Sequence, residues 1–145
     1  MIRPAVIGDT EAIARIYNHY ILNTTVTFEE QPVTAITMAE RIKAVELDSF
    51  PWLVLEQADQ VVGYAYASKW HGRSAYRYSA ECTVYLDPAA TGKGLGTALY
   101  KALFTVLRDQ GLHTVIGIIA LPNQASVALH EKFGLVKVAH FREVG

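Results

Sequence analysis

Between Ser79 and Leu103, three glycines (Gly92, Gly94 and Gly96) separate an alternating, strand-like run from a helical pattern. A strand, a glycine-rich turn and a helix start in succession leave several backbone N–H groups pointing outward. Added to the positive end of the helix dipole, they make a site for an anion. A carboxylate lies close by. Side chains alternate along a strand, so Glu81, Thr83 and Tyr85 share one face while Cys82, Val84 and Leu86 share the other. Two common phosphate loops do not fit this stretch. A Walker A loop requires glycine where Asp87 stands, and Gly94 follows Gly92-Lys93 where Ser or Thr would be needed. A dinucleotide fingerprint requires Gly-x-Gly-x-x-Gly early in a βαβ unit; here the spacing is Gly-x-Gly-x-Gly, after several strand-like runs. A turn with a purely structural task is the plain alternative.

Other reactive side chains are scattered. His19, His71, His113, His130 and His140 have no metal-ligand spacing, so no metal is implied. Cys82 is the one cysteine, which excludes an internal disulfide and suits a small buried side chain.

The elements that must position these residues follow from periodicity. Ile2 to Ala5 suits an edge strand, where Pro4 is tolerated. Asp9 or Thr10 can cap a helix whose apolar positions are Ile13, Ile16, Tyr17, Tyr20 and Ile21. Thr37-Met38-Ala39-Glu40 has the spacing of a capping box, which predicts a second helix over Met38 to Glu46. Trp52–Glu56 and Val61–Ser68 read as a hairpin, and the strand from Ser79 follows. Leu95, Leu99, Leu103, Val106 and Leu107 fall on one side of a helix that Gly111 would end. The continuous apolar run Thr114 to Ala120 predicts a strand covered on both faces. A helix over Ala125 to Phe133 and a strand begun at Leu135 to Phe141 complete the series. The fold class is therefore α/β or α+β: one layered domain over residues 1–145, with no visible linker or repeat.

Composition narrows the partners. Half of the 145 residues are hydrophobic (51%), only 19% are charged and the net charge is −1, which describes a folded domain without general attraction for nucleic acid or anionic membrane. No apolar stretch approaches the length of a membrane span, and the N-terminus lacks a signal-peptide core, so a cytoplasmic protein is expected.

Thr91-Gly92-Lys93-Gly94-Leu95-Gly96 closely resembles the pyrophosphate loop of the GNAT N-acetyltransferases, Arg/Gln-x-x-Gly-x-Gly/Ala, with Thr91 in place of the usual Arg or Gln. The resemblance extends through Ile16-Tyr17-Asn18-His19-Tyr20, Thr27-Phe28-Glu29-Glu30, Arg73-Ser74-Ala75-Tyr76, Glu81-Cys82-Thr83-Val84-Tyr85 and Asn123 to His130 followed by Phe133-Gly134. These segments resemble, in the same order, the branch that acetylates phosphinothricin and methionine sulfoximine or sulfone. That branch continues past the position of Gly145 with another strand, so a closing strand absent from this sequence or supplied by a partner is expected.

The resemblance implies acetyl-CoA as co-substrate, a small amine acceptor, a mixed central sheet with helices on both faces, and a homodimer. Glu81 is implied as the base that deprotonates the amine, and His130 stands where many of these enzymes carry a tyrosine thought to protonate the thiolate. Val84, Tyr85 and Leu86 are implied to bind the pantetheine arm through their main chain, and Gly92, Lys93, Gly94, Leu95, Gly96 and Thr97 to hold the pyrophosphate. Asn123 resembles a cofactor contact, and is equally a good helix N-cap. Arg73, Tyr76, Phe28 and Glu29 are implied on the acceptor side, where Arg73 would pair with a carboxylate. A non-catalytic acyl-CoA-binding regulator on the same fold, or an acetyltransferase for another amine such as a protein N-terminus, are the rival readings.

Overall fold

The computed structural model describes residues 1–145. In chain order its elements are β1 (Ile2–Pro4), α1 (Thr10–Asn23), α2 (Ala35–Leu47), β2 (Trp52–Gln57), β3 (Gln60–Lys69), β4 (Ser79–Leu86), α3 (Leu95–Asp109), β5 (Thr114–Ile116) and α4 (Gln124–Lys132). The strands lie in the sheet in the same order. β1 to β4 pair antiparallel, whereas β5 joins β4 in parallel, as it must after a helical crossover.

The sheet is covered on both faces, because its central strands are apolar at successive positions. In β2, Trp52 and Val54 pack with Ile13, Ile16, Met38 and Ile42 from α1 and α2, whereas Leu53 and Leu55 pack with Leu99, Leu103 and Leu107 from α3. Those three leucines recur every fourth residue and are wholly buried. Each contributes roughly 1.5–3 kcal/mol of apolar burial, which fastens α3, and with it the glycine turn, to the sheet. Leu129 of α4 and Phe133 just beyond it close the same side.

Three elements differ from their sequence expectation. The second helix begins three residues earlier than the capping box predicts, because Thr34 is the N-cap and its Oγ1 accepts from the Thr37 N–H at 3.1 Å. Thr37 thus lies inside the first turn. The apolar run Thr114 to Ala120 pairs only as far as Ile116, and Ile118 is 64% exposed, so this strand is neither long nor covered on both faces. The reason is geometric. β5 follows β4 from Ser79/Thr114 to Glu81/Ile116 and then leaves it. Residues Leu135 to Phe141 form no strand either: Val136 and Val138 are exposed and no sheet edge reaches them.

Candidate active site

The turn between β4 and α3 is fixed before any ligand arrives. Asp87 ends β4, its N–H bonded to Val62 O at 2.8 Å, and its Oδ1 accepts from the Ala89 N–H at 3.0 Å to start a single 3-10 turn over Pro88–Ala90. Thr91 Oγ1 donates to Pro88 O at 2.9 Å and Lys93 Nζ to Ala89 O at 2.9 Å, folding the loop back on that turn. Gly92 and Gly94 then take the left-handed conformation, φ 73° and 76°, which side-chain-bearing residues adopt only at a cost. Gly94 stands at the N-cap of α3 without a capping side chain. Consequently the N–H groups of Gly92 to Thr97 have no acceptor within the protein. Consecutive unpaired donors at the positive end of a buried helix form a preorganised anion cradle. Lys132 of α4, whose Nζ lies 3.5 Å from Thr97 Oγ1, adds a positive charge beside it.

Upstream of the cradle, β4 and β5 diverge. β4 continues to Leu86 after β5 has left it at Ile116, so one edge of β4 has no partner strand beyond Cys82, whose carbonyl accepts from Tyr100 Oη at 3.3 Å. Backbone direction alternates along a strand. The Asp87 N–H points to β3, hence Val84 and Leu86 point into the gap, while the main chain of Tyr85 points to β3 and its ring packs against Tyr17 at 5.4 Å. Tyr20 Oη donates to Leu86 O at 2.6 Å, and Val84 is left with an unpartnered amide facing the gap. Of the three residues implied to bind through their main chain, two are turned that way by parity.

Glu81 stands where the gap opens. It pairs with Ser68 across the β3–β4 ladder and lies level with Ile116, the last residue of β5. Its carboxylate is half-buried and has no hydrogen-bond or ion-pair partner. Burial alone raises its pKa above the usual carboxylate range, because the charged form loses water and gains nothing in return. Around the same face are Tyr66 and Tyr85, each with its hydroxyl held neutral by burial and by the Glu81 and Glu29 charges. The neighbouring Cys82 faces the opposite layer and its thiol is pushed up to about 12 by burial, which removes it as a nucleophile.

His130 is 7% exposed, and both of its ring nitrogens are occupied. Nδ1 lies 2.7 Å from the Ser126 carbonyl, which can only accept, so the proton is assigned to Nδ1 and Nε2 accepts from Tyr100 Oη at 2.9 Å. The ring lies directly beneath Gly117, where a Cβ would come within 2.5 Å of His130 Cδ2. His130 therefore fills the space under the bend at which β5 parts from β4. Asn123 is the N-cap of α4, its Oδ1 accepting from the Ser126 N–H at 3.1 Å.

An anion cradle at the start of α3, a splayed strand pair leading away from it and an unpaired carboxylate at the far end of the splay together make up the candidate site. The family described as Acetyltransferase (GNAT) domain matches residues 2–145. The chain belongs to the GNAT acetyltransferase family. It is 39% identical, over 99% of its length and 78% of the relative's, to a phosphinothricin N-acetyltransferase from Streptomyces viridochromogenes. It is 35% identical, over 95% of its length and 81% of the relative's, to an L-methionine sulfoximine/L-methionine sulfone acetyltransferase from Salmonella typhimurium. The crystal structure of a GNAT phosphinothricin acetyltransferase from Sinorhizobium meliloti in complex with acetyl-CoA superposes with a TM-score of 0.89 at 37% identity, covering 92% of this chain and 73% of the other.

The remaining side chains singled out in the sequence of this GNAT protein lie in two loops. Arg73 and Tyr76 lie in the β3–β4 connection, close in sequence to Glu81; Arg73 is exposed and unpaired, and Tyr76 packs edge-on against His71 at 5.0 Å. Phe28 lies in the α1–α2 loop with φ 57° and its ring half exposed. Glu29 is already engaged. Arg41 of α2 grips its carboxylate with two hydrogen bonds of 2.9 and 2.6 Å, and Tyr17 Oη donates to the same group. Arg41 holds the Glu29 carboxyl below its usual range, with a smaller contribution from Tyr17. Arg41 and Tyr17 escape sequence reasoning. Arg41 reads as a solvated charge on a helix and Tyr17 as one more apolar position on α1. Only the packing of α1 against α2 brings them together at Glu29.

Proposed function

We propose that this protein transfers the acetyl group of acetyl-CoA to the α-amino group of a small amino acid of the phosphinothricin or methionine sulfoximine/sulfone type, directly and within a ternary complex. The observation that carries the reading is the pairing of Glu81 with the gap. A carboxylate of raised basicity and without a partner stands at the end of a cleft whose other end is a six-residue array of unpaired N–H donors. The relatives that support the acceptor class are the phosphinothricin and methionine sulfone enzymes.

Acetyl-CoA supplies the activated acyl group and a thiolate leaving group. Gly92 to Thr97, with Lys93 and Lys132 beside them, bind its pyrophosphate, and the open edge of β4 at Val84 and Leu86 binds the amides of the pantetheine arm, with Asn123 bordering the arm from α4. This registers the thioester near Glu81. Glu81 accepts a proton from the acceptor's ammonium, directly or through one water, so that the nitrogen lone pair attacks the thioester carbonyl; the C–N bond forms, the C–S bond breaks with its electron pair going to sulfur, and the nitrogen's second proton passes to that thiolate, so that an amide and the CoA thiol leave. Arg73 pairs with the acceptor's carboxylate, while Tyr76 and Phe28 enclose its side chain. Glu29 orders the Phe28 loop through Arg41 instead of meeting the ammonium. His130 we place as a positioning residue, since both of its ring nitrogens are hydrogen-bonded within the protein.

The reading extends to a cytoplasmic protein acting as a homodimer. No helix is long and apolar enough to cross a membrane. The exposed apolar side chains of Val136, Val138 and Phe141 in the C-terminal segment are the surface that supports a second copy. Thiol release from acetyl-CoA should be followed with phosphinothricin, methionine sulfone and a peptide bearing a free N-terminal alanine. Turnover confined to the amino acids is expected. Turnover of the peptide alone would replace the acceptor class, and failure to bind CoA by calorimetry would sink the enzyme reading altogether.

A further inference from the structure

The turn that presents the cradle carries a negative charge of its own. Asp87 lies between β4 and the glycines, and its Oδ1 is committed to the Ala89 N–H. Its other oxygen, Oδ2, receives Arg15 Nη1 at 2.8 Å from α1, across seventy-two positions of sequence. The Asp87 side chain is only 19% exposed while Arg15 is 60% exposed, so the carboxylate depends on Arg15 more than on water for compensation. Arg15 makes no strong bond elsewhere; its second contact, to Val61 O, is 3.5 Å long. A bare carboxylate at this point would face a doubly charged pyrophosphate held within a few residues of it, and like charges at such separations repel weakly screened in a partly buried turn. Thr91 adds no charge to offset it: its hydroxyl only ties the loop to Pro88 O.

We infer that Arg15 is a positioning and charge-neutralising residue for the cofactor's phosphates, acting through Asp87 without touching the ligand. The inference rests on the acetyl-CoA reading given above. It assigns to α1, an element on the opposite face of the sheet from α3, a share in cofactor affinity. It also accounts for a workable loop without Arg or Gln at position 91, since the net charge of the turn is set from α1.

Calorimetric titration of the full chain with CoA, 3′-dephospho-CoA and pantetheine tests this. Arg15→Ala should weaken CoA and dephospho-CoA about fivefold, the size of a partly exposed charge pair, and leave pantetheine unchanged. Asp87→Asn retains the cap on the Ala89 N–H through its amide oxygen, so the double variant Arg15→Ala/Asp87→Asn should bind CoA within about twofold of wild type. Arg15→Lys, which keeps the charge, should recover most of the affinity. An unchanged CoA affinity in Arg15→Ala, an equal loss for pantetheine, or a double variant as weak as Arg15→Ala would each overturn the inference. Wild type that binds none of the three ligands would instead overturn the acetyl-CoA reading beneath it. Because Arg15 is largely exposed, its variants should melt within a few degrees of wild type, which separates a binding defect from unfolding.

Discussion

The two ends of the cleft are built on opposite principles. The cradle end is backbone: six N–H groups, two left-handed glycines and a helix dipole, with side chains used only to brace the loop. The Glu81 end is side chain: Glu81 from β4, Tyr66 from β3, Tyr17 from α1, Glu29 from the α1–α2 loop and Arg41 from α2, joined under the proposed function by Phe28 and Arg73 from the loops. Under the proposed function a backbone site recognises what every substrate pair would share, the phosphates of one cofactor, and its geometry is fixed by a single short stretch. A side-chain site gathers groups from distant segments and can change its acceptor by exchanging one of them. Loop variation on a constant scaffold follows from that division.

The largest effect that separates the two ends is removal of the base. Glu81→Gln should lower kcat on the order of a hundredfold or more while leaving CoA affinity unchanged, measured by thiol release and calorimetry. Equal losses in both would merge the two ends into one. The same group sets the pH dependence. A base works deprotonated, and burial raises the Glu81 pKa, so kcat/KM should fall as pH drops through a value above the ordinary glutamate range of about 4.3. That limb should vanish in the residual activity of Glu81→Gln.

Next comes the bend that creates the gap. Gly117→Ala would drive a methyl group into the His130 ring and should destabilise the protein by about 1–3 kcal/mol in urea unfolding. Combining it with His130→Ala should recover part of the loss, because the space beneath the bend is then vacant. Additive losses would show that His130 does not fill that space.

At the cradle, Gly94→Ala meets no atom within 4 Å but must hold φ 76°. The strain of about 1–2 kcal/mol should appear as a CoA affinity weakened roughly tenfold, with acceptor KM unaltered. The smallest effect belongs to the acceptor loop. Glu29→Gln loosens the grip of Arg41 and Tyr17 and should raise acceptor KM about fivefold while leaving CoA binding intact. Because Arg41 holds the Glu29 carboxyl low, this pair contributes its stability above the ordinary glutamate pKa. The contribution is lost as pH falls through the depressed value, and acid unfolding of Glu29→Gln should show a smaller loss over that interval.

The sequence by itself determined whatever rests on local pattern. Gly92 and Gly94 announced a tight turn ahead of a helix, and the four-residue spacing of Leu99, Leu103 and Leu107 announced the helix that carries the cradle. The placing of Glu81 on one face of its strand with Thr83 and Tyr85 followed from alternation alone. Tertiary structure decided the rest. The apolar run Thr114 to Ala120 reads as one buried strand, yet it pairs for three residues and then leaves β4, because the gap is a relation between two strands and neither sequence encodes it singly. The sequence offers His130 as an acid, and only the fold shows that its two ring nitrogens are bonded to Ser126 O and Tyr100. Glu29, which the resemblance places on the acceptor side, is gripped by Arg41 from α2, and Asp87 by Arg15 from α1. Charges and hydrogen bonds between distant segments leave no periodic trace in a sequence, since each partner alone is an ordinary polar residue; the pairing exists only once the helices have packed on the sheet.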